Sequence, residues 1–387
     1  MKTALTICIV LMAILFVQAS DLKITLNTCK KSIECPINEA CYKGACRMVR
    51  DINMEKNAHL PDLPAEAPNR RSLNPTNKND YECLTDQINE PLIREARATN
   101  AITGRMFKTS SPYAYLNNYS NEIPSCGFTI CDARFVRNQF TSKRSKNYKI
   151  TFWVNGANEI GKNTELAQQI AQEAINELTA AYTDSTGFTF SYTIKQYGYQ
   201  NRKSIMVSTD EECTLASNLG YQCLFPSQIA SSFPDYNKGF NIFMEDRMAR
   251  DTNNGWAYLP ATPYHSIVAI KKDALRSGHT TIVHELAHAF GLAHVFHKFD
   301  KCDDQCHEGD FNGHETGDLV SDTRPIPINW NCQPTGSENV CGKSLFDVNT
   351  YRNFLSYAYP ECRKRYGHFT NDQVRRMICY SYLNPNF

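Results

Sequence analysis

The sequence predicts an α/β domain of the α+β kind: a mixed, twisted sheet with helices packed on it. Three observations predict it. Short β-rich runs recur between residues 148 and 270, a long amphipathic stretch lies among them, and a second helical stretch carrying a metal-ligand pattern follows. Residues 148–154 (YKITFWV) read as a first strand. Residues 164–182 put Leu166, Ile170, Ala174, Leu178 and Ala181 along one face, a long helix that can back the sheet. Residues 188–194 alternate as a second strand, 204–207 (SIMV) form a candidate third, and 240–244 (FNIFM) another. Cys213 and Cys223 flank a loop and can close it. The run 255–260 (GWAYLP) comes next, followed by a short buried strand at 266–270 (SIVAI).

Residues 281–294 read TIVHELAHAFGLAH, in which His284, Glu285, His288, Gly291 and His294 fill every fixed place of H-E-x-x-H-x-x-G-x-x-H. Residues four apart share a helix face, so His284 and His288 can aim two imidazoles at one ion. Glu285, one step round, is placed to take a proton from a water at that ion instead. Ile282, Val283, Leu286, Ala287 and Phe290 supply the apolar back that holds such a helix. Glycine accepts the left-handed conformation that ends helices, so Gly291 can turn the chain and bring His294 back to the other two. Three neutral nitrogens with a fourth place open is the arrangement of a catalytic zinc rather than a structural one. The plain alternative is a helix of histidines that bind nothing. A short H-E-x-x-H arises by chance, but the longer pattern fixes two further positions.

The ends of the chain carry separate signals. Residues 1–19 begin with Lys2, run apolar from Ala4 to Val17 and reach Val17-Gln18-Ala19, the pattern of a secretory signal peptide cut before Ser20. That run falls short of the roughly 20 residues needed to span a bilayer, and no later stretch could cross one. With a net charge of +1 and no basic block, nothing argues for a nucleic-acid partner. Of the 16 cysteines, Cys8 leaves with the leader, so an odd number remains and one thiol is left over.

Cys29, Cys35, Cys41 and Cys46 lie in a run with little apolar content, so disulfides must stand in for a core. Residues 20–50 therefore read as a small cysteine-rich module, either a stabilised spacer or a binding unit. Pro61, Pro64, Pro68 and Pro75, with the pair Arg70-Arg71, mark an extended linker. Cys83, a helical candidate near 90–100, the glycosylation acceptor Asn118-Tyr119-Ser120 and the close pair Cys126 and Cys131 follow. Beyond His294 the chain is loop-rich. Asp303, Asp304, Glu308, Asp310, Asp318 and Asp322 are a solvated surface or a calcium site, without EF-hand spacing. His297, His307 and His314 read as surface residues.

The long motif resembles that of the metzincins, and the sequence after it is similar to the pappalysins among them. The matching pieces are 284–296 (HELAHAFGLAHVF), 317–323 (GDLVSDT), 353–357 (NFLSY) and 369–377 (FTNDQVRRM), with 255–260 upstream as the family's edge strand. The likeness covers about residues 145 to 387; residues 20–75 fall outside it. The resemblance implies a metzincin-type zincin, a secreted zinc endopeptidase acting on a protein or peptide. It makes His284, His288 and His294 the ligands of one zinc ion and Glu285 the general base. Tyr357 would hydrogen-bond the tetrahedral intermediate. On that reading residues 51–145 are linker and pro-segment and 146–387 the catalytic domain. Leu355 stands where the metzincins carry a methionine beneath the zinc, and Leu84 replaces the glycine usual beside the pro-segment cysteine. The resemblance makes Cys83 a zinc ligand of a latent precursor. It also implies the disulfides Cys306–Cys341 and Cys332–Cys362, with Cys302–Cys379, Cys213–Cys223 and Cys126–Cys131 completing the set. The competing reading is an extracellular binding protein on a protease scaffold, acting through the 20–50 module. The presence of Glu285 argues against it, because loss of that carboxylate would be the simplest way to retire the chemistry.

Overall fold

A computed structural model describes residues 39–42, 45–48, 142–197, 202–233, 236, 238–260, 264–296, 318, 320, 322–323, 339–340, 343–344, 348–358, 362–364 and 367–383. Cys29, Cys35, Cys83, Cys126, Cys131, Cys302, Cys306, Cys332 and Cys341 lie outside these residues. So do the helical candidate near 90–100, Asp303, Asp304, Glu308, Asp310, His297, His307 and His314. In the small module, β1 (Glu39–Tyr42) and β2 (Ala45–Met48) form an antiparallel hairpin.

The centre of the domain is a five-stranded sheet. β3 (Lys146–Asn155) pairs in parallel with β4 (Phe188–Tyr197) on one side and β7 (Phe240–Glu245) on the other. β9 (Ile267–Lys271) continues the parallel set, and β8 (Gly255–Ala257) closes it antiparallel, giving the order β4-β3-β7-β9-β8. Parallel neighbours need a crossover. Between β3 and β4 it is α1 (Thr164–Leu178), whose N-terminus is capped by Asn163 accepting from Leu166 N–H at 3.0 Å. The sequence reading ran this helix to residue 182. The α-helical part stops at Leu178, and a π-helical turn (Thr179–Thr183) carries the chain on to Gly187. Thr179, Ser185 and Thr186 hydroxyls donate to carbonyls three or four residues back, competing with the regular ladder.

Period-two alternation sorts the strand side chains onto two faces. Tyr148, Ile150, Phe152 and Val154 of β3, with Ile242 and Met244 of β7, pack against α1 and the metal-motif helix. Trp153, Phe243, Ile267 and Ala269 point the other way, into a second cluster with Trp256, Met206 and Ile229. Residues 204–236 cover that second face. The expected strand at 204–207 is there as β5 (Ser204–Met206), but it lies outside the main sheet, paired in parallel with β6 (Gln222–Leu224). Two helices complete this layer, α2 (Asp210–Asn218) and α3 (Pro226–Ser232). A disulfide joins Cys213 to Cys223 across it. Closing so short a loop contributes about 3 kcal/mol on the chain-entropy account.

Glu245, at the end of β7, is fully buried beneath this layer. One carboxyl oxygen accepts from Tyr197 O–H (2.8 Å) and Met206 N–H (3.0 Å), and the other has no partner among the described residues. Burial outweighs the two hydrogen bonds and, with the charge of Asp246, pushes the Glu245 pKa from 4.5 up to about 8. Between those values the folded chain keeps a proton that the unfolded chain has released, so stability present at low pH is lost as pH rises. The slope is up to about 1.4 kcal/mol per pH unit. Glu245→Gln keeps the accepting oxygen and removes the ionisation. Its melting temperature should fall less than that of the wild type between about pH 6 and 8, as followed by circular dichroism. Parallel curves for the two proteins would show that Glu245 does not titrate in this window.

Candidate metal centre

The motif helix is α4 (Thr281–Ala289). It is held from behind by Tyr182, whose hydroxyl donates to the Val283 carbonyl at 2.8 Å. At its end Phe290 sits among four rings, those of Phe240, Tyr148, Phe188 and Tyr182, with centroids 4.9–5.8 Å away. Gly291 has φ 89°, and a Cβ there would lie 2.0 Å from Cε2 of Tyr380, so both the turn and the packing require glycine. The reversal brings His294 back beside the helix.

Nε2 of His284, His288 and His294 form a triangle with sides of 3.0, 3.1 and 3.2 Å. His284 Nδ1–H donates to the Phe354 carbonyl (2.6 Å) and His288 Nδ1–H to the Leu292 carbonyl (2.7 Å), which leaves the Nε2 lone pairs of both aimed inward. Tetrahedral donors about 2.0–2.1 Å from zinc stand about 3.3–3.4 Å apart, so the triangle fits such an ion with little adjustment. All three rings are buried, and no other group of three His, Cys, Asp or Glu donors lies as close among the described residues. Burial, then the nearby His288, His294 and Arg363, hold the His284 pKa well below the usual histidine value, so its imidazole is neutral and ready to donate.

Glu285 is buried next to the end strand of the sheet. A Cβ on Gly255 of β8 would lie 2.9 Å from the Ala269 carbonyl oxygen, 3.1 Å from Oε1 and 3.2 Å from Cγ of Glu285, so glycine lets both the neighbouring strand and the carboxylate lie this close. The Tyr357 ring is 4.9 Å from that of His294 and 6.1 Å from that of His284. Leu355 is fully buried, and its carbonyl accepts from Val295 N–H at 3.3 Å. Cys362 and Cys379 are each disulfide-bonded; Cys332 and Cys302, the partners that the resemblance implies, lie outside the described residues. Asp318 and Asp322 of the acidic stretch hydrogen-bond within the protein: Asp318 accepts from Gln373, and Asp322 from Thr370 O–H and Asp372 N–H.

Sequence reasoning gave no role to two residues at this site. Phe296 stacks on His294 (4.7 Å between centroids, 11° between planes) and meets Tyr357 edge-on. Arg363 is buried with its guanidinium 3.2 Å from His284 Nδ1, donating to the Ser356 carbonyl. Phe296 lies within the quoted 284–296 stretch but outside its fixed positions, and nothing in the sequence near Arg363 marks it.

The family model Peptidase_M43, described as Pregnancy-associated plasma protein-A, matches residues 224–380. Pappalysin-1 of Homo sapiens is 43% identical over 108 residues, which are 27% of this chain and 6% of that protein. An extracellular metalloprotease of Neurospora crassa is 30% identical over 167 residues, 43% of this chain and 45% of the fungal one. The chain thus spans less than half the length of either relative. Among solved structures, metalloproteinase-II from Bacteroides fragilis aligns over 62% of this chain and 54% of its own at 13% identity, with a TM-score of 0.29. Residues 224–380, the part of the chain that matches this family model, hold the three histidines, Glu285 and Tyr357.

Proposed function

We propose that the chain is a secreted zinc endopeptidase that cleaves protein or peptide substrates and is made as a latent precursor. The observation that carries this is the triangle of inward-facing imidazole nitrogens, with Glu285 beside His284 on the same helix and its carboxylate against the end strand of the sheet. His284, His288 and His294 would hold the ion. When bound, zinc supplies an electrophile for the carbonyl and a water made acidic enough to ionise near neutral pH. Glu285 accepts the proton of the attacking water and returns it to the leaving amine, a role that needs a carboxylate close to the ligands but not among them. Tyr357 donates to the oxyanion as it forms. β8, the end strand of the sheet, is where an extended substrate would lie as an added strand. Secretion is supported by the N-terminal leader pattern and by fungal relatives that are named as extracellular. No helix among the described residues is long and apolar enough to cross a membrane.

Hydrolysis of casein should stop on addition of a zinc chelator and return when zinc is restored. Glu285→Gln removes the base and no ligand, so zinc content should stay at the wild-type level while turnover falls by at least about 10²-fold. A variant that still turns over at the wild-type rate would remove Glu285 from the mechanism.

Gly255→Ala tests the seat of that carboxylate. The added methyl group would press on both the Ala269 carbonyl and Glu285, so the strand or the carboxylate must shift, and misplacement by about 1 Å costs up to about 10²-fold in rate. The loss should fall on kcat more than on KM, with zinc retained; an unchanged kcat would show that the carboxylate tolerates the shift.

Latency is assigned to Cys83, the odd thiol on the resemblance, as a zinc ligand that excludes water. Cys83→Ala should make the uncut precursor active on casein. A precursor that stays silent until it is cut would place latency elsewhere.

A further inference from the structure

Three of the stretches shared with the pappalysins, 317–323, 353–357 and 369–377, are far apart in sequence and meet at one buried amide. Gln373 lies on α5 (Asn371–Leu383), and its side chain is fully buried, as are those of Asn353 and Asp318. Its Nε2 donates to Asp318 Oδ2 (2.6 Å) and Asn353 Oδ1 (3.2 Å). Its Oε1 accepts from Asn353 Nδ2 (2.8 Å) and Thr370 N–H (3.0 Å). The two amides therefore form a reciprocal pair. Asp318 fixes which way that pair faces, because an ionised carboxylate only accepts and must meet the NH₂ end of Gln373.

The pair connects directly to the floor of the histidine cluster. Asn353 Oδ1 also accepts from Leu355 N–H at 2.9 Å, so the amide that grips Gln373 also sets the backbone at 355. The neighbouring Phe354 carbonyl orients His284, and the Leu355 carbonyl takes the N–H of Val295, next to His294. Two of the three imidazoles thus depend on a short turn that the amide pair helps to hold, together with Phe354 N–H on the His368 carbonyl and Arg363 on the Ser356 carbonyl.

We propose that Gln373 is a positioning residue for the metal centre, acting through Asn353 on the turn that orients His284 and His294. This rests on the reading of the three histidines as zinc ligands. Outer hydrogen bonds of this kind typically change metal affinity by 10–100-fold, so the effect belongs on binding as well as on rate. Gln373→Glu conserves shape but sets a second carboxylate against Asp318. Asp318→Asn is the milder change, removing the charge that orients the amide.

The test uses the full chain and free zinc ion. Its dissociation constant is measured by competition with a chelating dye, alongside the melting temperature of the zinc-free protein. Gln373→Glu should weaken zinc at least about tenfold and Asp318→Asn by a smaller factor, both with the zinc-free melting temperature near that of the wild type. Affinities within twofold of the wild type in both variants, with the fold intact, would overturn the inference and leave the metal reading standing. Failure of both variants to fold would also overturn it, because the network would then serve the whole domain rather than the site. A wild-type chain that binds no zinc would bring down the metal reading itself, and this inference with it.

Discussion

Three imidazole nitrogens with their lone pairs turned toward one point, about 3 Å apart and out of water, form an arrangement that hydrophobic packing alone does not favour. Each lone pair faces other acceptors, a conflict that a shared cation would resolve. The remaining side of each ring must then be a donor with a fixed acceptor, or the ring would rotate or change tautomer. For His284 and His288 those acceptors are main-chain carbonyls, Phe354 and Leu292. The Leu292 carbonyl is available because the chain reverses at Gly291, and Phe354 arrives from sixty residues further on.

The sheet supplies rigidity from the other side. The metal-motif helix lies on the face formed by Tyr148, Ile150, Phe152, Ile242 and Met244, and aromatic rings surround its C-terminal residue Phe290. Edge-to-face and tilted ring contacts of this kind contribute about 0.5–1.5 kcal/mol each beyond their buried area. They hold the helix end where the chain must turn. The opposite face, with Trp153, Phe243 and Trp256, is closed by the 204–236 layer, so β8 is packed through Trp256 while Gly255 is left against Glu285. Alternation along three residues of strand thus gives one position to the core and its neighbour to the chemistry.

The strands of the main sheet and the histidine constellation were legible in the sequence because each leaves a short-range signal: β-rich apolar runs for β3, β7 and β9, alternation for β4, and a spacing of four for His284 and His288. The end of α1 was harder to read. Residues 179–183 keep the apolar pattern of a helix, with Ala181 and Tyr182 buried, while the hydroxyl groups of Thr179, Ser185 and Thr186 alter the ladder that pattern presumes. The layer over the second face was read only as one strand and a closed loop. β6 is three residues long and only partly buried, and what places it is pairing with β5 rather than any pattern of its own. Gln373 and Asn353 were visible as letters in matching stretches. Their roles are tertiary, because a buried amide pair leaves no periodic trace. Arg363 had no signal at all.

The leucine at the place where metzincins carry methionine can be weighed on these contacts. At position 355 the backbone N–H is taken by Asn353 and the backbone carbonyl by Val295, while the side chain is buried in the main core cluster. The hydrogen-bonded links from this residue toward the histidines therefore run through its main chain, which any amino acid except proline can provide. What the side chain must do is fill space, and leucine and methionine differ little in volume. The flexibility of methionine would let it adapt to an irregular gap, whereas leucine requires the surrounding residues to meet a fixed shape. A rigid side chain on a backbone pinned at both its N–H and its carbonyl is consistent with a turn whose geometry is set by the hydrogen bonds of Asn353, Gln373 and Asp318, with the packing around Leu355 following from them.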